Sequence, residues 1–299
     1  MAVEISLLDS RAPTVRKPDW LRVALPRGEE YERVKDRVNA LALNTVCKEA
    51  MCPNIAECWG AGTATIMILG DTCTRGCRFC AVKTGNPKGI VDWMEPARVA
   101  DAVRELGWQY LVLTCVDRDD LADGGALIIA NTVRAIHECV PGSKVETLIG
   151  DFRGDLLALD IVLDAVPDVF AHNLETVRRL TPTVRDKRAK YDQSLKILRH
   201  AKERTPQHYT KTSVMLGLGE SETEVEQVMD DARAAGVDIF TMGQYLQPSK
   251  KHLPVAEFVT PEKFSALRDL ALIKGFHQVV SSPLSRSSYH AEQAFETAS

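Results

Sequence analysis

Six of the chain's eight cysteines fall between residues 47 and 80, in two triplets. Cys47, Cys52 and Cys58 are separated by four and five residues, and Cys73, Cys77 and Cys80 by three and two. Thiolates are the protein ligands of iron–sulfur clusters, and each triplet has the reach to hold one cubane of four irons. Three protein ligands leave one iron open to another molecule, and chemistry would start there. A structural zinc site is the competing reading of the second triplet, whose spacings also suit zinc. Zinc sites close with a fourth ligand, and none lies adjacent.

The elements that must position these thiols are legible in the pattern around them. Residues 1–40 read as a charged lead-in, with prolines at 13, 18 and 26 and the mixed-charge stretch Glu29–Arg37, and the first triplet, beside Pro53, Gly60 and Gly62, as a loop-rich excursion. Thr63–Leu69 is a short β-branched run of the kind that makes a buried strand, and the second triplet begins four residues after it. Further strands are expected at Tyr110–Cys115, Lys144–Ile149, Val169–Asn173, Tyr209–Leu216, Asp238–Tyr245 and His277–Ser281. Between them, Val99, Val103 and Leu106 share a helix face ahead of Gly107, and Ser221 with Glu224 forms a capping box. Thr260-Pro261 opens a helix that Gly275 closes. About six βα units in series give the α/β class: a partial parallel (β/α)6-type TIM barrel with an N-terminal extension and a C-terminal tail. In such a barrel reactive groups collect after the C-terminal ends of strands, where Asp71–Cys80 falls. Gly76 is expected to let that loop turn around a cluster.

The 299 residues, 45% hydrophobic and 26% charged, supply a large core without cysteine staples. A net charge of −4 argues against nucleic acid as partner. No run of 18 apolar residues suggests a membrane span, and Met1–Ile5 lacks the pattern of a signal peptide. A cytoplasmic, reducing setting follows, in which clustered cysteines are ligands rather than disulfides.

Cys73-x3-Cys77-x-Phe79-Cys80 resembles the signature of the radical S-adenosylmethionine (SAM) enzymes, with the aromatic residue before the last cysteine. The first triplet narrows this: its spacing just ahead of the barrel resembles the lipoyl synthase family. Lys17-Pro18-x-Trp20-Leu21, Asn44–Cys47, Cys52-Pro53-Asn54 and Gly70–Arg75 carry the likeness. So do Arg118–Gly125, His172–Val177, Gly217–Glu220 and Arg286-Ser287-Ser288-Tyr289. A biotin synthase-like enzyme, or a non-catalytic iron–sulfur or zinc protein, are the alternatives. The serines departing from the family's pattern are Ser282 and Ser285, beside Pro283.

The resemblance implies two four-iron clusters and SAM as cofactors, with Cys73, Cys77 and Cys80 on the radical-forming cluster. Cys47, Cys52 and Cys58 would hold an auxiliary cluster, with Ser288, in preference to Ser287, as its fourth ligand. The implied activity is sulfurtransfer: two sulfurs from the auxiliary cluster enter carbons 6 and 8 of an octanoyl chain on a lysine. That lysine would belong to a lipoyl carrier domain, of dehydrogenase E2 subunits or glycine-cleavage H protein, with ferredoxin or flavodoxin as electron donor. Phe79, Asn173, Glu175, Gly217 and Gly219 would contact SAM, and Glu220 is either a neighbour of its adenosyl group or a plain loop residue. The implied segments are 1–62 with the auxiliary cysteines, 63–281 as the radical barrel, and 282–299 closing on the auxiliary cluster.

Other residues carry weaker expectations. Cys115 and Cys139 read as small buried hydrophobes, with Cys115 a possible pocket wall. No histidine shows ligand spacing. Asp119 and Asp120 are candidate helix caps. Lys187–Lys190 reads as a solvated face, or one that attracts an acidic carrier domain.

Overall fold

The structure, a computed structural model, describes residues 16–23 and 25–298. The Met1–Ile5 start, Pro13 and the outer ends of segments 1–62 and 282–299 lie outside the described residues. Ten strands follow in chain order: β1 Asn44–Thr45, β2 Thr65–Ile68, β3 Thr72–Cys73, β4 Lys83–Thr84, β5 Tyr110–Cys115, β6 Lys144–Leu148, β7 Val169–Ala171, β8 Tyr209–Leu216, β9 Ile239–Gln244 and β10 Gln278–Ser281. The helices are α1 Glu29–Ala40, α2 Val46–Glu49, α3 Ile55–Gly60, α4 Glu95–Leu106, α5 Ala126–Cys139, α6 Leu156–Leu163, α7 Thr181–Val184, α8 Tyr191–Arg204, α9 Glu222–Ala234, α10 Pro261–Ile273 and α11 Ala291–Ala298.

One sheet runs β1-β2-β5-β6-β7-β8-β9-β10, parallel from β2 onward. Its end strands do not pair with each other, so the barrel is partial, and β1 adds an antiparallel edge with Asn44 opposite Met67. Strands such as β2 and β9 are buried along their whole length, as expected where helices cover a parallel sheet. Each fully buried side chain of the Phe240 or Ile66 kind contributes about 1.5–3 kcal/mol. The expected caps are present: Ser221 and Glu224 close a capping box, and Thr260 accepts from Lys263 N at 3.3 Å.

Three expectations need correction. The charged stretch from Glu29 is helix α1, whose Val34 and Val38 are buried and whose Tyr31 ring lies 5.3 Å from Trp59. The first triplet is only partly loop: Cys47 sits in α2 and Cys58 in α3, with Thr45 capping α2, and Cys52 lies in the loop between the two helices. Neither Asp119 nor Asp120 caps α5; Asp123 does, accepting from Gly125 N and Leu127 N at 2.9 and 3.0 Å.

The chain's end spans the barrel from one face to the other. Pro283 O accepts from Gln244 N at 3.2 Å at the C-terminal end of β9. Helix α11 then carries Phe295 to the opposite face, against Tyr110 and Tyr209, the first residues of β5 and β8. Above that ring lies a buried ion pair, Lys211 Nζ to Glu146 at 2.9 Å, with Tyr110 Oη donating to the same carboxylate at 2.8 Å. The tail is therefore held at both ends.

Candidate active site between two cysteine triplets

A cavity of about 590 Å³ opens at the C-terminal ends of the parallel strands. The Cys73–Cys80 loop forms one wall, bracketed by the β3–β4 pair, with Gly85 N donating to Cys73 O at 2.9 Å. Cys73, Cys77, Phe79 and Cys80 all line the cavity. Gly76 does not adopt a left-handed conformation; its N–H donates instead to Asp186 Oδ2 at 2.9 Å. Arg75 locks the loop from beneath, pairing with Asp119 at 2.9 Å and Asp151 at 2.7 Å, with Asp117 at 3.6 Å. Arg188 joins this network through Asp119, Asp186 and Thr74 O, so the Lys187–Lys190 stretch is solvated only at its two lysines.

From the first triplet Cys52 reaches the cavity, while Cys47 is buried behind it and Cys58 lies close enough to feel both other thiols. Burial pushes every one of the six thiols up, Cys58 and Cys77 to about 12 and Cys80 to about 11. Trp59 Nε1, buried with no oxygen or nitrogen acceptor, instead favours the Cys47 thiolate. None of the eight cysteines is in a disulfide. Cys115 lines the cavity; Cys139 lies away from it, 3.5 Å from Arg104.

The tail crosses the cavity mouth between the triplets. Asn54 Nδ2 donates to Leu284 O at 2.8 Å and Tyr289 Oη to Glu57 at 2.8 Å, tying it to the first triplet's helices. Ser287 Oγ donates to Asn173 Oδ1 at 3.1 Å on the far side. Ser288 lines the cavity, and among the described residues no group pairs with its hydroxyl. The departing serines satisfy each other: Ser282 and Ser285 hydroxyls stand 2.8 Å apart, and Ser285 N donates to Ser282 O at 3.1 Å. Gly243 makes the crossing possible, since a Cβ there would collide with Ser285 O.

Asn173 and Glu175 face the cavity beyond β7, with Asn173 Nδ2 3.2 Å from Glu175 Oε1. Glu175 holds a left-handed φ of 68°, a strain of the kind stored at working sites. Gly217 and Gly219 stay outside the lining; at Gly217 a Cβ would strike Gln244 and Glu257 O. Glu220 clasps that turn, accepting from Gly217 N and Leu218 N at 2.5 and 2.9 Å. Two further cavity residues escaped the sequence reading. Arg185, 7% exposed, donates to Ser194 at 2.8 Å and leaves Nε without a partner; Arg286 is the second.

His172 is buried at the edge of the cavity lining, hydrogen-bonded to Ile149 O and Ser194 Oγ at 2.8 Å each. Burial, with Arg185 nearby, pushes its pKa down to about 4. A depressed histidine stabilises the fold above the unfolded value near 6.5 and loses that contribution, about 3 kcal/mol, as pH falls through 4. Its imidazole resonances should therefore show no titration between pH 8 and 5 by NMR.

Comparisons with known proteins place the whole chain. The Radical SAM superfamily model matches residues 67–232, and the model for the N-terminal domain of lipoyl synthase matches residues 4–52. The lipoyl synthase of Thermus thermophilus is 58% identical over 93% of this chain and 86% of its own length. The chain belongs to the lipoyl synthase family. Lipoyl synthase 1, chloroplastic, of Populus trichocarpa is 56% identical over 95% of the chain and 77% of its own. Among solved structures, the FeFe-hydrogenase maturase HydG of Carboxydothermus hydrogenoformans matches with a TM-score of 0.57 at 14% identity, over 89% of this chain and 69% of that one. That likeness speaks to the fold alone.

A lipoyl synthase uses two four-iron clusters and SAM, and this donor set fits them. The six thiols are unbridged, and two guanidinium groups without carboxylate partners face the same cavity. Among the described residues no three His, Cys, Asp or Glu converge on a single-ion site. Nor is any helix among them long and apolar enough to cross a membrane.

Proposed function

We propose that the chain divides the lipoyl synthase reaction between its two triplets, with the tail as the movable partner of the first. Cys73, Cys77 and Cys80 hold the radical-forming cluster and Cys47, Cys52 and Cys58 the auxiliary one, with Ser288 as its fourth ligand. The reading rests on one observation above all: the tail brings Ser288, whose hydroxyl has no partner among the described residues, to a cavity walled by cysteines of both triplets. When bound, the clusters and SAM supply the radical that activates carbons 6 and 8 and the sulfur that replaces hydrogen there.

The chain's own residues then bind and orient. Arg185, beside Cys77 and Glu175, is placed to pair with the carboxylate of SAM, and its free Nε gives the second arm of a fork. Asn173 and Glu175 offer a carboxamide and a carboxyl to amino or ribose groups, and Phe79 an aromatic face. Gly217 and Gly219 shape the loop rather than the cavity wall. Met67, Val116 and Val214 give the apolar surface that an octanoyl chain needs and that keeps water out.

The substrate is an octanoyl-lysine on a lipoyl carrier domain, of a dehydrogenase E2 subunit or glycine-cleavage H protein, and a ferredoxin or flavodoxin is the reductant. Eight free thiols suit a cytoplasmic setting or another reducing compartment. The functional segments are 1–62, 63–281 and 282–299. The test is anaerobic incubation of the reconstituted protein with SAM, a reductant and an octanoyl-lysine peptide, read by mass spectrometry. A peptide carrying two added sulfurs, with 5′-deoxyadenosine, is expected. Deoxyadenosine without sulfur in the peptide would sink the substrate assignment, and neither product from iron-replete protein would sink the enzyme.

A further inference from the structure

Buried cations in this chain come with carboxylates. Arg75 has Asp119 and Asp151, and Arg118 has Asp120 at 2.8 Å. Lys211 has Glu146. Two guanidiniums break the rule among the described residues, the buried Arg185 and the half-buried Arg286. Arg286 lines the cavity, the one hydrogen bond of its guanidinium runs from Nη1 to the neighbouring Ser285 O at 2.6 Å, and among the described residues no carboxylate lies within ion-pair distance. A partly desolvated cation without a counterion is unfavourable, so its place is explained by an anion that fills the cavity.

We propose that the guanidinium of Arg286 is the cationic counterpart of the auxiliary cluster, donating its free N–H groups toward the cluster's sulfurs. The tail on either side of Arg286 is tied to the first triplet's segment, Leu284 O to Asn54 Nδ2 and Tyr289 Oη to Glu57 at 2.8 Å each, whereas Arg185 adjoins Asp186, whose N–H donates to Cys77 Sγ at 3.3 Å on the second. The two unpaired guanidiniums thus divide between the two triplets. A cluster held by three thiolates and an alkoxide carries net negative charge, and Arg286 retains most of its donors for it. The seat is built in: Gly243, on β9, has no side chain, and a Cβ there would come within 3.2 Å of Arg286 Nη1. Because Arg286 stands two residues before Ser288, one turn of the tail would deliver both the hydroxyl ligand and the charge that accompanies it.

The inference rests on the two-cluster reading above, and a redox titration followed by electron paramagnetic resonance separates the two. Anaerobically reconstituted wild-type protein should hold two clusters' worth of iron and show two midpoint potentials. Iron for a single cluster would overturn the two-cluster reading itself. In Arg286→Met the auxiliary potential should move to more negative values, since loss of a nearby positive charge disfavours the reduced form, while the radical cluster's potential stays in place. Arg286→Lys, which keeps the charge, should restore most of the shift. Loss of one cluster's iron in the Met variant but not the Lys variant would equally support the assignment. An unmoved auxiliary potential in Arg286→Met with full iron, or equal loss of the cluster in both variants, would overturn it.

Discussion

Cys73→Ala should leave the chain unable to release 5′-deoxyadenosine, with activity down by on the order of a thousandfold or more, as when one member of a catalytic unit is lost. Cys47→Ala should still release deoxyadenosine and yet put no sulfur into an octanoyl-lysine peptide. The contrast follows from where the two thiols stand. Cys73 lines the cavity on the β3–β4 loop, beside Arg75 N at 3.4 Å, while Cys47 lies behind it in α2, against Trp59. Each variant should lose one cluster's iron and keep the other. Quantifying deoxyadenosine, iron and peptide product in one anaerobic assay checks all three. Dithiolated product from both variants would end the two-cluster assignment.

The reading of the sequence succeeded where a local signal and the global fold coincide. β5 and β8 were legible to the residue, because β-branched runs between turn residues leave little choice of strand. The capping box at Ser221 was equally local. The short helices of the first triplet were not legible: four and six residues cannot establish a helical period, and Pro53 and Gly60 read as loop. The cysteine spacing itself was clear, but the tail's path was not. Its decisive bonds join residues far apart in sequence, such as Asn54 to Leu284 and Ser287 to Asn173, and no local pattern encodes such pairings. Arg185 and Arg286 stayed silent for a related reason. An arginine becomes informative only when the fold withholds a carboxylate from it.

Ser288→Ala should lower sulfur insertion by on the order of a hundredfold or more, while Ser287→Ala costs no more than about tenfold. Ser287 already spends its hydroxyl on Asn173 Oδ1, a neutral hydrogen bond whose loss costs about 0.5–1.5 kcal/mol, or roughly 2- to 13-fold. Ser288 has no such partner and faces the thiols, so its replacement removes a ligand rather than a strut. Ser288→Cys tests why the ligand is oxygen. A thiolate is the softer and better match to iron, so this variant should retain the auxiliary cluster's iron in full. Sulfur transfer should nonetheless slow, because a cluster that must give up its sulfur is harder to open when its fourth ligand holds firmly. Iron content, deoxyadenosine and thiolated peptide, measured together, separate these cases. Equal rates for Ser287→Ala and Ser288→Ala would remove Ser288 from the ligand set, and a Ser288→Cys protein as fast as wild type would show that ligand release does not limit the reaction.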